Sequence, residues 1–116
     1  AGDQVVIVTA TNEFVTRPIA QAFGVSELIA VTLARGADLL ITECAYKEGQ
    51  SSESWPHLNP ETAGRIAREA GALRLAMTHF DARIYRSLPE RMEAQTAARK
   101  EFPAAFAACD DMILEC

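Results

Sequence analysis

A small α/β domain, with a mostly parallel sheet of four to five strands and helices on both faces, is the fold this 116-residue chain predicts. Three observations carry that expectation. Continuous apolar, β-branched runs, QVVIVT at residues 4–9 and DLLITE at 38–43, read as strands buried on both faces. Between such runs lie amphipathic segments with helix caps. Strand and helix alternate along the chain, which implies right-handed crossovers and parallel pairing.

Taken in order, residues 4–9 form the first strand, and Ala10-Thr11-Asn12 turns into a helix reaching about Phe23. Asn12 is its N-cap, Val15, Pro18, Ile19, Ala22 and Phe23 make an apolar stripe, and Gly24 ends it. Residues 28–33 suit either a short strand or a helix running to Arg35. The second strand, 38–43, is followed by a polar loop over 44–58 whose WPHL end returns toward the body. Asn59-Pro60-Glu61-Thr62 is a helix start with its N-cap, a proline at N1 and an acid in the first turn. Ala63, Ile66, Ala67 and Ala70 make the buried face, Arg65, Arg68 and Glu69 the outer one, and Gly71 the stop. A third strand over 73–78 delivers His79 at its end. A weakly amphipathic helix over 88–102 has Met92 as its anchor, a short helix follows at 104–109, and MILE (112–115) is the last strand.

Bulk composition narrows the function classes. With 11 basic and 16 acidic residues the net charge is −5, so no nucleic-acid footprint is expected. Cys44, Cys109 and Cys116 form no C-x-x-C pair and are odd in number, so no disulfide framework is expected and a reducing, cytoplasmic setting is. No run approaches the roughly 18 apolar residues of a membrane span. The start, AGDQVVIV, lies at the edge of a strand, which reads as a cut.

In an open parallel sheet, ligands bind beyond the carboxyl ends of the strands. Glu43, His79 and Asp81 share that rim, with Cys44 beside them and His57 at the helix entry. Imidazole serves as metal ligand or as acid and base near neutral pH, commonly with carboxylates. A histidine at a strand end is as often structural, and Cys44 is more often a small buried hydrophobe than a nucleophile.

The stretches ARGADLLITECAY, HLNPETAGRIAREAGALRLAMTHF and EFPAAFAACDDMILEC resemble, in order and spacing over about residues 34–116, the C-terminal half of metallo-β-lactamase-fold hydrolases of the ribonuclease Z-like branch. That resemblance implies His79 as a zinc ligand, and Glu43 and His57 as the acid and histidine assisting proton transfer; Asp81, from the rim reading, is a further candidate for the metal. Thr42 and Cys44 stand where the branch favours His and Ala, and the turn at residues 9–12 lacks the family's bridging aspartate. The family's HxHxDH motif is absent from this chain. Residues 1–34 instead resemble haloacid-dehalogenase-type phosphatases, which implies phosphate binding by Thr9, Thr11 and Asn12 without that family's DxD nucleophile.

The chain therefore reads as a chimera or fragment, a phosphatase-like β-α unit (1–34) joined to a metallohydrolase-like half (35–116), without a complete activity. Natural recombination, engineering and a fortuitous likeness of the first residues stay open. Alternatives are a zinc hydrolase completed by another chain or by a missing half, a non-enzymatic scaffold, and a phosphate-binding fragment. An uncovered sheet edge or face predicts a homodimer.

Overall fold

The computed structural model describes residues 4–8, 30–55 and 57–114. Four strands form one parallel sheet: β1 (Val5–Val8), β2 (Leu39–Glu43), β3 (Leu75–Thr78) and β4 (Ala105–Ala107). Their spatial order is the order in sequence, with Val6 opposite Leu40, Ile41 opposite Ala76 and Met77 opposite Ala107. Helix α1 (Pro60–Ala70) links β2 to β3, and helix α2 (Leu88–Arg99) links β3 to β4. The predicted α/β class and parallel sheet are observed, with four strands among the described residues.

Local chemistry explains each element. Asn59 caps α1 as expected, its side chain accepting from the Thr62 amide at 2.9 Å. Gly71 ends α1 at φ 69, a left-handed conformation glycine takes without Cβ strain. Ser87 caps α2. The buried stripe of α1 meets Leu40, Leu75 and Met77 on one sheet face, and Ala98 of α2 and Ala105 of β4 join the same cluster. Small residues let the two helices approach closely. A Cβ built on Gly64 would stand 2.8 Å from the carbonyl oxygen of Ala98. Residues 30–33 are helical, which resolves the strand-or-helix ambiguity there, and Ala30, Val31 and Ala34 pack into the same core.

Five expectations change. Among the described residues the last strand is Ala105–Ala107, residues 112–114 of the expected 112–115 strand are in none, and the short helix predicted across 104–109 is absent. Pairing with β3 selects the alanine-rich strand against its local preference, while Ile113 stays 88% exposed. Met92 does not anchor α2; it is exposed, and Ala94, Ala97 and Ala98 carry the contact. Helix α2 also stops at Arg99, short of 102. β1 is not buried on both faces: at the end of the sheet formed by the described residues, it leaves Val5 45% and Ile7 66% exposed. The other outer strand, β4, has its edge groups met by α2, with the Ala107 amide donating to Gln95 Oε1 and Arg99 Nε donating to the Ala105 carbonyl. The helix predicted from Asn12 to Phe23 and the 9–12 turn lie outside the described residues.

Candidate active site at the carboxyl ends of the strands

β2 ends at Glu43, and the chain then leaves the sheet for a loop that returns at Leu58. The Glu43 side chain is 1% exposed, so its carboxylate must be satisfied inside the protein. Both oxygens find backbone donors. The Ala45 amide donates to Oε2 at 3.0 Å and the Leu58 amide to Oε1 at 2.6 Å. One buried carboxylate thus fastens both ends of the loop and sets the residue before Leu58, which is His57. Burial raises the Glu43 pKa above its ordinary value, opposed by those two amides and by the nearby imidazoles.

His57 Nδ1 lies 3.6 Å from Glu43 Oε2, beyond hydrogen-bonding range, and this buried nitrogen has no hydrogen-bond partner among the described residues. The ring is wedged between aromatics: Tyr46 meets it edge-on with centroids 5.6 Å apart, and Trp55 lies parallel within 9° at 6.2 Å. Tyr46 fixes the arrangement by donating its hydroxyl to the Trp55 carbonyl at 2.5 Å and its amide to the Leu58 carbonyl at 3.2 Å. The apolar WPHL end was expected to pack down. Leu58 does, against the core, but Trp55 stays 67% exposed.

β3 ends at Thr78, and the Cys44 amide donates to its carbonyl, tying the two strand ends together. His79 follows at φ 56, a left-handed backbone that a non-glycine residue adopts at some cost. Its ring stands 6.4 Å from that of His57. Asp81 lines the same cleft, but both its oxygens are engaged by Arg83, Oδ1 by the backbone amide and Nε, Oδ2 by Nη2 at 2.9 Å. That pairing holds the Asp81 carboxyl below its ordinary pKa. The cleft, about 550 Å³, is lined by Tyr46, Trp55, His57, Asp81, Arg83 and Ile84.

The structure therefore brings Glu43, His57, His79 and Asp81 to one rim, as the strand-end argument anticipates. Thr9, Thr11 and Asn12 lie outside the described residues. Sequence reasoning missed Tyr46, Trp55 and Arg83. A lone aromatic in a polar loop was the available signal for Trp55, and D-x-R spacing the one for Arg83. Cys44 is fully buried, its thiol pushed up to about 12 by burial, which suits a packing residue rather than a nucleophile.

A zinc centre is the group that this donor set has to be tested against. Catalytic zinc takes about three protein ligands and a water. Among the described residues no three His, Cys, Asp or Glu side chains stand close enough to hold a metal. Asp81 is committed to Arg83, leaving His79 exposed at the rim and His57 behind it. These residues do not compose a zinc site by themselves.

No family model matches the chain. Curated relatives do. Ribonuclease Z of Thermobifida fusca is 41% identical over 71 residues, 60% of this chain and 22% of that protein. The probable metallo-hydrolase YhfI of Bacillus subtilis is 47% identical over 50 residues, 43% of this chain and 20% of that protein. Among solved structures, the metallo-β-lactamase-fold protein YhfI superposes with a TM-score of 0.60 at 31% identity, covering 70% of this chain and 32% of that one. The short form of human tRNase Z superposes at 0.51 with 28% identity, covering 73% and 27%. This chain spans about a quarter of the length of the curated relatives it matches. It resembles, in sequence and fold, part of a metallo-β-lactamase-fold hydrolase of the ribonuclease Z-like kind.

Proposed function

We propose that this chain supplies one half of the active site of a metal-dependent phosphodiester hydrolase, corresponding to the C-terminal half of such an enzyme, and has no complete activity alone. The observation that carries the reading is the convergence of Glu43, His57 and His79 on one strand-end rim, with His79 in a strained left-handed backbone. His57 moves a proton at the scissile ester, with the Glu43 carboxylate 3.6 Å from its Nδ1. Glu43 positions it through the Leu58 amide. His79, exposed at the rim, is the residue this chain would offer to a metal, while Asp81 is held by Arg83.

The net charge of −5 keeps the expectation that no basic stripe meets extended nucleic acid, so the ester is met by a few rim residues. The haloacid-dehalogenase likeness of residues 1–34 gains no support from the relatives, which are ribonucleases Z and metallo-hydrolases. Phosphate binding at Thr9, Thr11 and Asn12 is not part of the proposal, and neither is a chimera. The exposed apolar side chains Val5 and Ile7 favour self-association through the β1 side of the sheet, so a homodimer belongs to it. Sedimentation showing a strict monomer at high concentration would remove that part.

Two measurements test the core. Zinc titration followed by imidazole NMR is expected to shift the His79 resonances, with the response lost in His79→Ala. Neither histidine responding would favour a non-enzymatic scaffold. Hydrolysis of bis(4-nitrophenyl) phosphate by the 116-residue chain, with zinc present, is expected to stay at the buffer rate. Chelator-sensitive turnover would instead make the chain a complete zinc hydrolase.

A further inference from the structure

Trp55 is the chain's single tryptophan, and it stands 67% exposed in a loop of small polar residues. A lone exposed aromatic is ordinary on a protein surface. This one is held in place. Its carbonyl accepts from the Tyr46 hydroxyl at 2.5 Å, its amide donates to Ser52 Oγ at 3.2 Å, and its indole lies parallel to His57 within 9°. A large planar face has been oriented beside a candidate proton carrier and left open to the cleft. Ordering such a group before a ligand arrives removes an entropic cost of binding.

Arg83 lines the same cleft. Its Nε and Nη2 rest on Asp81, while Nη1 has no hydrogen-bond partner among the described residues and the side chain is 90% exposed. A guanidinium fixed on one edge presents its free donor to an anion with little entropy left to lose.

We infer that Trp55 is a stacking platform for a planar aromatic ring of the substrate, and that Arg83, lining the same cleft, binds its phosphate. The cleft then selects nucleoside or aryl phosphoesters over aliphatic ones. Its bearing on turnover rests on the phosphodiesterase reading above, but the binding itself needs no metal.

The tryptophan reports on its own site. Adenosine monophosphate, added without metal, is expected to quench its fluorescence saturably, and ribose 5-phosphate and inorganic phosphate to leave it nearly unchanged. Phenyl phosphate separates the two ring sources. Quenching equal to the nucleotide's supports a platform for any aryl ring, and weaker quenching supports a nucleobase. By calorimetry, Trp55→Ala should weaken the nucleotide about tenfold, as expected for one base–aromatic stack, and leave ribose 5-phosphate unaffected. Trp55→Phe should restore most of the loss. Removing the ion pair in Asp81→Ala with Arg83→Ala should weaken the nucleotide but not adenosine. Equal binding of ribose 5-phosphate and the nucleotide, or an unchanged nucleotide affinity in Trp55→Ala, would overturn the inference. Because these titrations are metal-free, a failure of zinc to reach His79 leaves their outcome intact, and the reverse holds too.

Discussion

The helix-covered face of the sheet and the rim at its carboxyl ends are held together by different forces. On the helix side, Leu40, Leu75, Met77, Ile66 and a set of alanines exclude water by close apolar packing. At the rim a buried carboxylate, two aromatic rings and a few backbone amides fix the loop. Packing energy is non-directional and spread over many contacts, so the first region tolerates change only in volume. The rim depends on few, directional bonds, so one lost acceptor exposes a whole loop. Stability sits in the one, and positioning in the other.

The largest effect that would sharpen this contrast comes from the core. Leu75→Ala, at a side chain with 0% exposure, should cost about 2–5 kcal/mol in denaturant unfolding and leave the ring geometry around His57 unaltered in NMR spectra of the folded fraction. Gly64→Ala comes next. With the Ala98 carbonyl only 2.8 Å from the added carbon, the helices must separate, at about 1–3 kcal/mol. An unchanged melting temperature there would show that α1 and α2 are not closely packed in solution.

At the rim the signature is pH. Burial raises the Glu43 pKa, so the folded state holds that proton more tightly than the unfolded chain does. Its contribution to stability is fully present below the ordinary value of 4.5 and is lost as pH rises through the raised one. Asp81 and Glu90, with lowered pKa values, act in the opposite sense at more acid pH. Subtracting the Glu43→Gln melting curves from those of the unmodified protein isolates the first effect. The difference should tilt against the unmodified protein as pH climbs from 4.5, and a flat difference would place Glu43 in water.

The smallest change is Tyr46→Phe. Losing the hydroxyl that donates to the Trp55 carbonyl should cost about 0.5–1.5 kcal/mol and make Trp55 more accessible to acrylamide quenching. A loss of stability with no change at Trp55 would mean that the loop is held by Glu43 alone.

Much of this was legible before any coordinates. The DLLITE strand, the Asn59-Pro60 start, the Gly71 stop and the strand ending before His79 follow from short-range rules of burial, capping and left-handed glycine. Those rules act within a turn or a few strand residues, so sequence carries them directly. The strand-end rim was legible too, because parallel topology places successive carboxyl ends side by side.

Other features depended on contacts distant in sequence. Ala105–Ala107 has the local character of a helix and becomes a strand only because β3 offers it a ladder. Val5 and Ile7 look like core and are exposed, β1 being the end strand among the described residues. Most of all, the double duty of Glu43 was invisible. Sequence placed an acid at the end of β2 and a histidine at the helix entry. Only the folded chain, bringing Leu58 back across 15 residues, decided that its carboxylate would spend both oxygens on backbone amides and hold that histidine in place. Local propensity settles which residues form an element, and the closing of a loop settles which partner a buried charge must find.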